Sequence, residues 1–207
     1  MTRPARQAGQ VQEVRDSILD AAIAVFARKG YRAATMQEIA REAGYTAPSL
    51  YNYYPGQREI FEALVDRLDA EYIAMLGEPV PAGLGFDGKI ELLVRRQVAL
   101  TRKRRGAFRI YLSLQGGADG IPSERAARRH AQGFRAYMTS FAAWMDAAAR
   151  GTDVGGRSGE ELAFAFWGLS VGLQLRATRP GAANVPEEEE AEVKALVTMF
   201  LRGACGT

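Results

Sequence analysis

The chain has 207 residues, 47% hydrophobic and 25% charged, with a net charge of +3 at pH 7. That is ample apolar material for a buried core in one large or two small domains, and the small positive excess is not by itself a nucleic-acid signal. A single cysteine, Cys205, excludes an internal disulfide framework and points to a reducing cytoplasm. No apolar run approaches the length of a membrane span, so no membrane partner is expected. The first residues, MTRPARQAGQVQEVRD, carry charge without an apolar stretch behind it. They do not read as a signal peptide and are expected to begin as a disordered basic arm.

Val14, Ile18, Ala22, Val25 and Phe26 recur at helical spacing, predicting a first helix over residues 11–29 that stops at Gly30. Thr35 followed by Glu38 is a capping box, in which the hydroxyl takes an orphan amide and the carboxylate reaches back. Ile39, Ala40 and Ala43 give a small apolar face, and Gly44 breaks the run. Thr46 is a second N-cap, opening a helix through Ser49, Leu50 and Tyr53 with Pro48 tolerated in its first turn. Two short helices about a Gly-containing turn form the helix-turn-helix pattern, whose second helix lies in the major groove of double-stranded DNA. Base readout then falls to Ala47, Pro48, Ser49 and Asn52, of which only Asn52 suits bidentate bonding to adenine. Thr35 and Thr46 offer amides and hydroxyls to phosphate at helix N-termini.

Pro55-Gly56 starts a fourth helix, 57–76, with Ile60, Phe61, Leu64, Val65, Leu68, Tyr72 and Met75 along one stripe. The segment 77–88, GEPVPAGLGFDG, is the clearest break and reads as a domain junction. Further helices are predicted over 89–103, 106–114 (ending at Gly116-Gly117), 123–150, 160–178 and 187–202. GTDVGGRSG and RPGAANVP act as breaks. No segment alternates with period two, so the chain is predicted all-α with about nine helices. Residues 1–56 form the arm and reading head, 57–207 an effector-binding and dimerisation domain, and helix 57–76 connects them.

From Ile18 to Phe61 the chain resembles the N-terminal domain of TetR-family transcriptional regulators. The marks fall in order: an alanine-rich helix ending in Phe26, Lys29-Gly30-Tyr31, Thr35, Ile39-Ala40, Ala43-Gly44, Ser49-Leu50-Tyr51, Tyr53-Tyr54-Pro55, then Glu59-Ile60-Phe61. The resemblance implies that Tyr51 and Tyr53 donate to phosphate oxygens and that Tyr54 replaces a packing Phe. The family carries a phosphate-gripping Lys at the start of the fourth helix. Here Gln57 and Arg58 stand there, with Arg58 as the candidate substitute.

The stretch FAFWGLSVGLQL (164–175) is apolar on nearly every side and must be covered all round. A helix from a second copy is the economical cover, with Gly168, Gly172 and Leu173 at the contact. Val193, Leu196, Val197 and Phe200 of the last helix are expected to join them. A two-fold homodimer of this kind reads a palindromic operator. Phe108, Tyr111, Leu112, Phe134, Tyr137, Phe141, Trp144, Phe164 and Trp167 read either as core or as cavity lining. By resemblance a cavity between helices is expected, with Tyr111, Tyr137, Ser170 and Gln174 as polar anchors for a small hydrophobic or flat effector.

The basic residues Arg95, Arg96, Arg102–Arg105 and Arg109 read as solvated surface or as a site for anions, and Glu187–Glu190 as a helix first turn. The lone His130 is expected at the surface without a catalytic partner. With no phosphate-cradling loop, spaced metal ligands or nucleophile elbow, neither catalysis nor a cofactor or metal is expected. The reading is a ligand-responsive repressor. A ligand-independent DNA-binding structural or partner-recruiting protein is the alternative.

Overall fold

Helix formation follows the capping and breaking signals closely. The computed structural model describes residues 3–115, 124–177 and 186–205, and among these every regular element is helical. In order they are α1 (Arg3–Lys29), α2 (Met36–Glu42), α3 (Ala47–Tyr51), α4 (Gln57–Leu76), α5 (Phe86–Lys103), α6 (Arg105–Gln115), α7 (Glu124–Ala148), α8 (Gly159–Ala177) and α9 (Pro186–Cys205). The expected breaks at Gly116-Gly117 and RPGAANVP lie outside the described residues.

α1 starts at Arg3 rather than near residue 11, so the expected disordered arm is helical. Pro4 falls in the first turn, where its missing amide costs nothing, and the following Ala, Arg and Gln residues are good helix formers. α1 stops at Lys29 because Gly30 takes φ 78° and donates its amide to the Phe26 carbonyl at 2.8 Å. No helix of the described residues is long and apolar enough to cross a membrane.

The chain divides into two compact units, one of residues 1–68 with 106–130, the other of 69–105 with 131–207. The segment 77–88 therefore lies inside the second unit instead of dividing domains, and the division falls within α4. Arg96 ties that segment to α5, donating to the carbonyls of Glu78 (3.2 Å) and Pro79 (2.6 Å).

In the first unit α1, α2, α3, the start of α4 and α6 enclose one apolar core. Ile18, Ala22, Ile39, Leu50, Ile60 and Leu64 are fully buried in it. Phe26, Tyr31 and Phe61 form a three-ring cluster with centroids 5.0–6.3 Å apart, a geometry that adds to simple area burial. In the second unit Phe141, Phe166 and Phe200 stack edge to face (5.4 and 5.2 Å) and join α7, α8 and α9.

The basic run around α5 is neutralised within the second unit. Arg95 pairs with Glu91 and Glu190, Arg102 with Glu189, and Arg104 with Glu71. Exposed pairs contribute little individually, but each of these removes a free cation from the run. Glu189 and Glu190 thus bridge helices as well as opening α9. His130 is half-buried rather than at the surface, and burial lowers its pKa.

Gly159 makes a tight joint against backbone in the second unit. Its amide donates to Asp146 Oδ1 at 2.7 Å, and a Cβ there would lie 2.3 Å from the Ala142 carbonyl oxygen. Backbone cannot yield as a side chain can, so Gly159→Ala is expected to destabilise the protein by about 1–3 kcal/mol. Denaturant titration reads this directly, and an unchanged midpoint would show that α7 and α8 do not approach so closely.

Candidate functional site

The reading head is built from two caps and one anchor. At α2, Thr35 Oγ1 accepts from the Glu38 amide (3.3 Å) while Glu38 Oε2 accepts from the Thr35 amide (3.1 Å). Lys29 pairs with the same carboxylate, and with Thr35 it holds the Glu38 pKa below the usual range. The Thr35 amide is therefore occupied, and only its hydroxyl hydrogen is left to offer a phosphate. Gly44, at φ 76°, turns the chain between α2 and α3. Thr46 caps α3, accepting from the Ser49 amide at 3.3 Å with its hydroxyl 2.9 Å from Ser49 Oγ.

α3 ends at Tyr51, two residues earlier than its pattern suggests. Pro55 disfavours helical backbone at Tyr54, and the amides of Tyr53 and Tyr54 both close onto the Leu50 carbonyl at 3.0 Å. Leu50 is wholly buried against Ile39 and Ala40, which fixes the opposite face of α3 toward solvent. That outward row is Thr46, Pro48, Tyr51 and Asn52, with Ala47 and Ser49 half-buried beside it. Among the described residues neither the Tyr51 hydroxyl nor the Asn52 carboxamide makes a hydrogen bond, and the Tyr51 side chain is 51% exposed. Both keep their full bonding capacity for a partner.

The other two tyrosines serve the fold. Tyr54 is buried, as expected of a packing residue, and Tyr53 packs partly against the same core. Arg15 of α1 holds this end of α3, donating to the Tyr53 carbonyl at 3.1 Å and lying 5.0 Å over the Tyr54 ring. Gln57 and Arg58 are also engaged within the protein. Gln57 Nε2 donates to the Tyr31 carbonyl, and Arg58 pairs with Glu59 at 2.7 Å and stands 3.9 Å from Glu62. Tyr45, an exposed phenol at the α2–α3 turn, belongs to the same surface. Sequence reasoning missed it because a tyrosine just after a turn glycine carries no periodic signal.

Residues 18–64 match the family model of bacterial regulatory proteins of the tetR family. The HTH-type transcriptional repressor KstR2 of Mycobacterium tuberculosis is 40% identical over 60 residues, which is 29% of this chain and 30% of that protein. SrpR of Pseudomonas putida, an HTH-type transcriptional regulator, is 37% identical over 60 residues, 29% of this chain and 28% of its own. Residues 18–64 are thus similar to the DNA-binding domain of tetR-family regulators. The sequence likeness spans less than a third of those two relatives, whereas the likeness of fold runs over almost all of the chain. Salmonella enterica GusR superposes with a TM-score of 0.72 at 20% identity, covering 93% of this chain and 95% of that one. FadR of Bacillus subtilis, solved with stearoyl-CoA, gives 0.70 at 16% identity, covering 90% and 97%.

In the second unit the aromatic residues divide. Tyr137 and Phe141 are core; Phe134, Trp144 and Trp167 are half-buried; Phe164 is 63% exposed and cannot line an interior cavity. Phe108 is buried in the first unit, apart from that set. The side chains of Tyr111, Leu112 and Leu173 lie outside the described residues. Ser170 and Gln174 do come together, with Gln97 and Thr101 of α5, about a cavity of roughly 10 Å³. The two α5 residues escaped notice because each sits singly in a charged helix.

The expected dimer residues need correction as well. Val193, Leu196 and Phe200 are buried within a single chain, packed toward α5 and α8, and Val197 is half-buried. The apolar surface that stays open is instead Phe164, Leu169 and Leu175 on α8 with Met199 on α9. Gly168 and Gly172 lie in the same α8 stripe with nothing within 4 Å of a Cβ.

The caps and the outward row separate by mutation. Thr46→Ala is expected to cost about 0.5–2 kcal/mol and to speed amide exchange at Ser49 and Leu50, whereas Tyr51→Phe should leave both unchanged. Denaturant midpoints and exchange rates check this. A loss of stability in Tyr51→Phe would assign that phenol to the fold.

Proposed function

We propose that this protein is a homodimeric DNA-binding transcriptional regulator of the cytoplasm, a repressor released from a palindromic operator by a small hydrophobic or aromatic effector. The observation that carries the reading is the outward row of α3, where the Tyr51 hydroxyl and the Asn52 carboxamide are unspent while Leu50 fixes the inner face. In this reading Tyr51, Tyr45 and Thr46 contact phosphate, and Ser49 and Asn52 meet base edges, with Ala47 and Pro48 limited to apolar contact. The repressor sense is supported by KstR2, which is named a transcriptional repressor.

The open stripe of α8 supports the dimer. Four large apolar side chains and two glycines on adjoining helices form the kind of contiguous patch that marks an association surface. A second copy matches it by symmetry, and two reading heads then meet half-sites about 34 Å apart or a multiple of that. An effector that favours a DNA-incompetent arrangement by about 3 kcal/mol cuts operator affinity some hundredfold, and linkage requires operator to weaken effector binding equally.

A ligand-independent reading has one point in its favour: the chain is 29% identical over 82 residues to SlmA of Pasteurella multocida, a nucleoid occlusion factor. Operator affinity that no compound alters would favour it.

Two experiments test the proposal. A duplex recovered from a randomised pool is expected to bind Tyr51→Phe about 1.5–3 kcal/mol less tightly, with nonspecific DNA weakened in parallel. Asn52→Ala should lose about 1–3 kcal/mol and relax one base position. Unaltered affinity in both variants would place the interface elsewhere. For the dimer, Leu169→Arg is expected to sediment as a monomer. Gly168→Ala removes a helix-weakening glycine worth about 1 kcal/mol, so it should stabilise the single chain while weakening association. A tight Leu169→Arg dimer would contradict this interface.

A further inference from the structure

The second unit contains a concentration of buried polarity that its packing does not require. Gln97 and Thr101 on α5 and Ser170 and Gln174 on α8 are all nine-tenths or more buried. Each would be cheaper as an aliphatic residue unless its hydrogen bonds are satisfied. They converge on one small cavity, which Val94, Val98, Arg102 and Glu192 also line. Gln97 Nε2 donates to Ser170 Oγ at 3.3 Å, and Ser170 Oγ donates to the Trp167 carbonyl at 2.9 Å. Tyr72 and Thr101 share a hydrogen bond of 3.2 Å at the other end. Gln97 can make four hydrogen bonds through its carboxamide, and among the described residues it makes one.

We propose that this niche between α5 and α8 recognises an uncharged headgroup that both donates and accepts hydrogen bonds, a carboxamide or its equivalent, on an otherwise apolar or aromatic effector. The inference rests on the ligand-responsive reading above and specifies its ligand. Three observations lead to the headgroup. First, the four polar side chains at the centre are neutral, each with donor and acceptor capacity, so nothing there compensates a buried ion. Second, the two charged lining residues are opposite in sign, and Arg102 is already paired with Glu189. Third, a cavity of roughly 10 Å³ is the size of one water. A ligand group gains from displacing a bound water only where it reproduces that water's donor and acceptor bonds. Carboxylates lack the donor and amidinium groups lack the acceptor; a carboxamide has both. The rest of such a ligand must part α5 from α9, where the Arg95–Glu190 and Arg102–Glu189 pairs now hold them.

Three isosteric probes isolate the headgroup: benzamide, benzoate and benzamidine, titrated into the full-length protein. The readouts are calorimetry and the side-chain amide resonances of Gln97 and Gln174. Benzamide is expected to bind at least about tenfold more tightly than either ion and to shift those resonances. Gln97→Leu should erase the preference, with Ser170→Ala as the second variant if the first does not fold. Equal binding of the three probes, tighter binding of benzoate or benzamidine, a preference that survives both variants, or no saturable binding would overturn the proposal and leave the cluster a structural network only. DNA binding measured on the same samples keeps the two readings apart. Its absence would count against the regulator, and it does not enter the ranking of the probes.

Discussion

A helix of five residues cannot stand alone, because nucleation fixes several dihedrals before propagation returns any hydrogen bonds. α3 exists because other elements hold it: the Thr46 cap at one end, Arg15 and the buried Tyr54 at the other, and Leu50 in the core between. Burying that leucine contributes about 1.5–3 kcal/mol, more than any cap. It also sets the rotation of the helix, so the face that packs decides the face that is shown. Every property of the outward row, including the unspent hydroxyl of Tyr51 and amide of Asn52, depends on this pin.

The second unit obeys the same logic with a different result. α8 turns Leu162, Phe166, Ser170 and Gln174 inward and leaves Phe164, Leu169 and Leu175 outside. A helix that is apolar all round therefore meets its own core on one side and an open, glycine-containing surface on the other. Two polar residues, Ser170 and Gln174, among the inner positions and large apolar residues on the outer side depart from the usual arrangement of a surface helix. Both the proposed recognition inside the unit and the proposed association outside it rest on this one helix.

Much of this was legible in the sequence, for local reasons. Both N-caps, Gly30, Gly44 and the apolar periodicity act within a few residues, so the helix order and the turn motif could be read directly. The core role of Tyr54 came from the resemblance, in which a packing Phe stands at that place. Misreadings arose where the answer depends on partners distant in the chain. Val193, Leu196 and Phe200 have a helical period that suits an interface and a core equally, and only their burial within the single chain, with Phe200 against the rings of Phe86 and Phe166, decides for the core. Gln57 offered a hydrogen-bond donor to DNA until the Tyr31 carbonyl claimed it. Gln97 and Thr101 carry no motif at all; they meet Ser170 and Gln174 about a cavity only because α5 lies against α8.

The central claim is that α3, held by Leu50, is the surface that meets DNA. Amide hydrogen exchange of the full-length protein, with and without a duplex selected from a random pool, tests it most directly. Protection gained over residues 45–52 on DNA binding, with Leu50 already slow in the free protein, is the predicted result. Selection of no preferred sequence, or protection that falls elsewhere while 45–52 exchange as before, would contradict it.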